Sequence, residues 1–173
     1  YGQWMISGCH YKGPYNGTII NGTVIHDVIY ENASVMFDGN ASLYGNVSFK
    51  NCSVYFSPSA IVDVYNPGKI TFQNTIVDFN THGVLRVFER AGITIEDSHV
   101  MNIGTGSHGK NGMFSGLWIN TSNFVIRASI FESSNVSGSM EPQYTRTYAY
   151  IYHGSEGVIE NTSFLGGGEL WIW

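Results

Sequence analysis

Short stretches of alternating apolar and polar residues recur along this chain with a shared pattern. Val47-Ser-Phe-Lys-Asn-Cys-Ser-Val54 serves as a template. It returns as Ile70-Thr-Phe-Gln-Asn-Thr-Ile-Val77, Ile93-Thr-Ile-Glu-Asp-Ser-His-Val100, Phe124-Val-Ile-Arg-Ala-Ser-Ile-Phe131 and Gly157-Val-Ile-Glu-Asn-Thr-Ser-Phe164. An earlier copy reads Gly17-Thr-Ile-Ile-Asn-Gly-Thr-Val24. The third position is always large and apolar (Ile19, Phe49, Phe72, Ile95, Ile126, Ile159), as is the eighth (Val24, Val54, Val77, Val100, Phe131, Phe164). The fourth is polar in every copy but the first, where it is Ile20. A period of two marks strands with one buried face. The fifth position (Asn21, Asn51, Asn74, Asp97, Ala128, Asn161) favours Asn and Asp, which tolerate the left-handed backbone of a sharp corner.

A third apolar stretch separates successive copies: Ala60–Tyr65, Val84–Glu89, Gly116–Asn120, Tyr148–Tyr152 and Glu169–Trp173, with Ser34–Phe37 and Gln3–Ile6 as earlier candidates. Three short strands per repeat, and no helical periodicity, predict a coil in which each rung buries its edge on the next. The expected fold is all-β: a right-handed parallel β-helix (solenoid) of about six rungs over residues 17–173, preceded by an N-terminal strand and arm over 1–16.

The apolar strand, Asn corner and second apolar strand resemble the right-handed parallel β-helix of the pectin lyase-like superfamily. The resemblance implies an asparagine ladder of inward-pointing side chains at one corner, here Asn21, Asn51, Asn74, Asp97 and Asn161. It also implies that the stretches ending at Tyr65, Glu89, Asn120, Tyr152 and Trp173 form the first sheet of the coil. In the superfamily's enzymes the active groove lies over that sheet, walled by the loops feeding it. Those loops are short at 57–59, 80–83 and 166–168 and long at 104–115 and 133–147.

Chemistry in that groove is sparse. Alternation makes Asp63, Arg86, Trp118, Tyr150 and Trp171 outward residues, with Tyr65, Phe88, Asn120, Tyr152 and Trp173 beside them. Asp63 is the one carboxylate among them, with Glu89 at a strand end, and the long loops add His108, Lys110, Glu141 and Arg146. The superfamily's lyases need an Asp/Glu cluster for Ca²⁺ plus a base, and its hydrolases need Asp residues within about 5–9.5 Å of each other. Asp63 and Arg86 are expected to form an ordinary exposed ion pair. The expectation is a protein with no catalytic residues and no metal or other cofactor. His10, His26, His82, His99, His108 and His153 include no pair at metal-ligand spacing, and Gly109-Lys110 is followed by Asn111 rather than the Ser/Thr of a phosphate loop. The aromatic stripe Trp118, Tyr150, Tyr152, Trp171 and Trp173 is the more unusual feature, and reads as an interface, a glycan-contact surface or a core covered by the chain's own loops.

Composition adds a compartment. Charged residues are 12% of the 173, with a net charge of −5 and eight Lys+Arg. That leaves no basic surface for nucleic acid, and no apolar run approaches the roughly 18 residues of a membrane span. Nine of the fifteen Asn residues sit in Asn-x-Ser/Thr, several times what chance pairing with 29 Ser/Thr would produce. Such density points to an N-glycosylated, extracellular or cell-surface protein. Asn16, Asn32, Asn40, Asn46, Asn120 and Asn135 are the favoured acceptors. Asn21, Asn51 and Asn161 are expected to be glycosylated less often, because an inward ladder side chain cannot carry a sugar. Cys9 and Cys52 form a candidate disulfide that the sequence leaves open.

Both ends read as first-sheet strands, so the rod is expected to continue into a longer chain or to stack into a fibre. The leading expectation is a non-enzymatic structural protein that self-associates, end to end or laterally, into a filament or surface layer. A polysaccharide-binding or -cleaving β-helix is the alternative, and an adhesin or virion-spike module the third.

Overall fold

A computed structural model describes residues 17–103, 116–121, 123–133, 147–152, 154–166 and 169–172; of Thr147, Tyr148, Glu169 and Trp171 it describes the backbone alone. Every described element is a strand. The first are β1 (Thr18–Val24), β2 (Val28–Glu31) and the long β3 (Ser34–Leu43). Strands then come in threes: β4 (Asn46–Lys50), β5 (Ser53–Phe56) and β6 (Ile61–Val64); β7 (Lys69–Gln73), β8 (Ile76–Asp78) and β9 (Val84–Val87). The pattern continues with β10 (Gly92–Glu96), β11 (His99–Ile103) and β12 (Gly116–Ile119), then β13 (Phe124–Arg127), β14 (Ile130–Ser133) and β15 (Thr147–Ile151). The last three are β16 (Gly157–Glu160), β17 (Ser163–Leu165) and β18 (Glu169–Ile172).

All pairings are parallel. One sheet runs β16-β13-β10-β7-β4-β2. The other runs β17-β14-β11-β8-β5-β3-β6-β9-β12-β15-β18, with β1 also on β3. The first half of β3 pairs with β5 and its second half with β6, so this sheet is two parallel stacks joined through one long strand. The chain therefore revisits three stacks in a constant order. The architecture is all-β, with parallel strands in curled sheets, and is compatible with a solenoid.

The apolar columns of the sequence become stacks of like side chains. Tyr30, Phe49 and Phe72 stack with centroids 5.3 Å apart at each step, and Phe56 stacks on Phe79 at 4.6 Å. Val62, Leu85, Leu117 and Ala149 form another buried column in register. Each fully buried Phe or Leu contributes about 1.5–3 kcal/mol of transfer free energy, and parallel in-register stacking places like against like at every level.

Two expectations change here. The first repeat copy is Val28-Ile-Tyr-Glu-Asn-Ala-Ser-Val35 rather than Gly17–Val24. Val28, Ile29, Tyr30 and Glu31 pair with Val47, Ser48, Phe49 and Lys50. The stretch at 17–24 instead forms β1 against β3, with a bulge between Ile20 and Gly22 where Gly22 takes φ 76°. Asn21 is thus exposed in β1 and outside the corner column.

The second change concerns what fills the corner. Asn32, Asn51, Asn74, Asp97, Ala128 and Asn161 all adopt φ between 47° and 53°, but their side chains are exposed. Asn74 Nδ2 donates to Asn51 Oδ1 at 2.8 Å along the outside of the corner. A left-handed residue at a tight bend turns its own side chain outward and the next one inward. The inward position holds Cys52, Thr75, Ser98 and Ser129, all buried. Thr75 N–H donates to Ser98 Oγ at 3.1 Å and Ser98 N–H to Ser129 Oγ at 3.2 Å. Each hydroxyl in turn donates to the carbonyl two residues back, at 2.9 Å from Thr75 to Gln73 and 2.6 Å from Ser98 to Glu96. The buried corner is a hydroxyl ladder. Cys52 occupies one place in it as a free thiol, its Sγ 3.2 Å from the Lys50 carbonyl; Cys9 lies outside the described residues, as does the whole 1–16 arm.

Candidate functional site

The face over β6, β9, β12, β15 and β18 collects the residues singled out from the sequence. Parallel register puts Asp63 beside Arg86, Arg86 beside Trp118, Trp118 beside Tyr150 and the Trp171 backbone beside Tyr150. One residue beyond the strands, the ladder continues through the backbone bonds Tyr65 N–H to Leu43, Phe88 N–H to Val64, Asn120 N–H to Val87 and Tyr152 N–H to Ile119. A second outward column follows: Tyr44, Tyr65, Phe88, Asn120, Tyr152. Trp173 and the loops at 104–115 and 134–146, with His108, Lys110, Glu141 and Arg146, lie outside the described residues.

Asp63 and Arg86 do more than make an exposed pair. Arg86 Nε donates to Asp63 Oδ1 and Nη2 to Oδ2, each at 2.6 Å, and the side chains retain only 21% and 12% exposure. The flanking aromatic rings account for that shielding. Tyr65 Oη donates to Asp63 Oδ2 at 3.2 Å, and the guanidinium lies 5.6 Å from the Phe88 ring centroid. Hydrogen bonding to the carboxylate holds Arg86 more firmly protonated than usual. Burial, then the neighbouring Asp63 charge, raises the Tyr65 phenol. Both oxygens of the Asp63 carboxylate are engaged, which leaves it poorly placed to take a substrate proton.

The aromatics stack rather than stand alone. Tyr44 lies on Tyr65 at 5.2 Å and Tyr65 on Phe88 at 4.8 Å with planes 5° apart. Trp118 packs on Tyr150 at 4.8 Å and on Tyr152 at 5.7 Å. All three of these last rings are half-buried, and burial raises the Tyr152 phenol. Between the two groups lies a shallow pocket of about 210 Å³ lined by Arg86, Val87, Phe88, Trp118, Asn120 and Tyr152. Alternation had placed Tyr65, Arg86, Phe88, Trp118, Asn120, Tyr150 and Tyr152 outward, though not Tyr44; their stacking and the pocket come from the register between neighbouring strands, which no single strand encodes.

Of the nominated glycan acceptors, Asn21, Asn32, Asn40, Asn46, Asn51 and Asn161 are exposed and Asn120 is half-buried at the pocket. Asn46 is already engaged: its Nδ2 donates to Asp27 Oδ2 at 3.2 Å. Asn16 and Asn135 lie outside the described residues. Because Asn51 and Asn161 face outward, the steric argument that set them apart as poor acceptors does not hold. Among the described residues, no three His, Cys, Asp or Glu side chains cluster at metal-binding distance, and no helix is long and apolar enough to cross a membrane.

No known protein family, curated protein or solved structure matches the chain.

Proposed function

We propose that this chain is a non-enzymatic, N-glycosylated extracellular structural protein, a right-handed parallel β-helix of about six rungs of the pectin lyase-like kind. Its rod joins other copies end to end into a filament or surface layer. The observation that carries this reading is where the sequons stand: every described acceptor Asn lies outside the packed core. Sugars on that surface supply the hydration that a chain with 12% charged residues otherwise lacks.

The last described strands present an edge that either a following rung of the same chain or a second copy covers. Ile159, Phe164 and Leu170, on β16, β17 and β18, are only partly covered, whereas Ile126 and Phe131 one level inward are buried. Ile172 is 69% exposed. A parallel stack offers its edge to any strand of matching register, and a second copy carries the same columns of Val, Ile and Phe.

The test is negative-stain electron microscopy of protein purified from its source without refolding, with glycopeptide mapping of the same sample. Filaments whose repeat matches about six strand spacings, roughly 29 Å, and sugar at several sequons are the expected result. Monodisperse particles would remove the assembly, and an unmodified mass would remove the glycoprotein.

A polysaccharide-binding groove is the second reading, favoured by the pocket between Phe88 and Tyr152. It requires the pocket to be open to an external sugar.

A further inference from the structure

Among the described residues the outward aromatic column has one interruption. Tyr44, Tyr65 and Phe88 stack continuously, Tyr152 resumes the column, and the residue between Phe88 and Tyr152 is Asn120. With strands about 4.8 Å apart, the gap between the Phe88 and Tyr152 levels is about 10 Å, twice the step at which the other rings stack. The pocket of about 210 Å³ sits at this break, with the Trp118 indole stacked on Tyr152 at its far side and the Phe88 ring at the other. It is below the roughly 300 Å³ at which drug-sized ligand sites begin, and it has room for one pyranose ring.

Asn120 is also the acceptor of Asn120-Thr-Ser122. Its backbone N–H donates to the Val87 carbonyl at 2.8 Å, and its side chain lines the pocket. A side chain that lines a small pocket, and is itself a sugar acceptor, can fill that pocket intramolecularly. The axial C–H groups of N-acetylglucosamine form an apolar face that packs on aromatic rings, and the tether removes the entropy cost of bringing in a free ligand.

We propose that the first N-acetylglucosamine of a glycan on Asn120 seats in this gap against Phe88, Trp118 and Tyr152 and completes the aromatic column. The proposal rests on the N-glycosylated reading above. The seated sugar occupies the place an external polysaccharide would take and screens the aromatic stripe from lateral contacts, which leaves the rod ends as the joining surface.

The test uses the full chain secreted from a eukaryotic host, its glycans trimmed to single N-acetylglucosamine residues carrying a ¹³C-labelled acetyl group. Ser122→Ala, which abolishes the acceptor but keeps Asn120, identifies the Asn120 acetyl methyl resonance by its disappearance. Ring currents are expected to shift that resonance upfield of those at Asn32, Asn40 and Asn46. Trp118→Leu is expected to return it toward them while leaving the others in place. An Asn120 acetyl signal at the common position overturns the seat, as does an Asn120 left empty while other sequons carry sugar. Both results leave the glycoprotein reading standing; sugar at no sequon overturns the two together.

Discussion

Ser98 sits in the middle of the buried hydroxyl ladder, and Ser98→Ala measures what that ladder contributes. The Ser98 hydroxyl accepts the Thr75 N–H at 3.1 Å and donates to the Glu96 carbonyl at 2.6 Å. Removing it leaves the Glu96 carbonyl with a second donor, the Asn74 N–H at 3.0 Å. The Thr75 N–H has no such reserve, and Thr75 is only 2% exposed, so water cannot replace the lost acceptor. An orphaned buried amide costs about 1–3 kcal/mol. At about 2–4 °C per kcal/mol for a chain of this size, a 2 kcal/mol loss lowers Tm by roughly 4–8 °C. Urea titration should show the midpoint falling at unchanged slope. Because stacked parallel strands can open locally, hydrogen exchange supplies the local readout: Thr75 amide protection should drop while that of Ile93 and Phe72 holds. Ser98→Thr keeps the hydroxyl and is expected to keep Thr75 protected. If Ser98→Ala stays within about 0.5 kcal/mol of the parent, as exposed substitutions do, and Thr75 protection is unchanged, the ladder is not a stabilising element and the reasoning fails.

Other parts of the fold yield three more expectations. Ala128 holds φ 47° in a column otherwise made of Asn and Asp, and a left-handed backbone costs a Cβ-bearing residue about 1–2 kcal/mol; Ala128→Asn should raise Tm, and a lower Tm would show that the corner is not strained there. Arg86→Met strips a largely shielded carboxylate of both guanidinium bonds, leaving it only the Tyr65 hydroxyl, and should cost about 2 kcal/mol, between the values for exposed and buried pairs. Arg86→Met with Asp63→Leu should recover most of that loss in urea unfolding, and equal instability of the single and double variants would contradict the assignment. Finally, burial and the nearby Asp78 charge push the Tyr55 phenol up to about 12 from its ordinary 10. The folded state holds its proton where the unfolded state has released it, so stability is intact below pH 10. It should then fall by about 1.4 kcal/mol per pH unit toward 12, read as phenolate absorbance rising together with unfolding.

Much of this architecture is legible without coordinates because a repeating rung is a local object. The columns Phe49–Phe72–Ile95 and Val54–Val77–Val100 reveal strands, their buried face and the corner after the fourth residue, since each follows from period-two alternation and from the tolerance of Asn and Asp for left-handed φ. The outward placement of Asp63, Arg86, Trp118 and Tyr150 follows from the same alternation. The errors share one cause. Gly17–Val24 and Val28–Val35 both match the template, and only pairing with β4 selects the second, because edge complementarity belongs to two strands and not to one. Likewise Asn51 and Thr75 are both plausible ladder residues until the bend shows which side chain turns in. The repeat's sixth column (Cys52, Thr75, Ser98, Ser129, Thr162) carried that signal as a run of small residues able to hydrogen-bond.

The sequence alone therefore determined the all-β class, most strand positions, and the buried and exposed faces, all of which depend on neighbours within a few residues. The tertiary structure decided which strand begins the six-stranded sheet, which residue fills the corner, how Asp63 and Arg86 are shielded, and that Asn120 interrupts a stack of rings at a pocket. Those depend on what lies about 4.8 Å away on the next strand, and loops of unequal length between copies hide that neighbour from any reading along the chain.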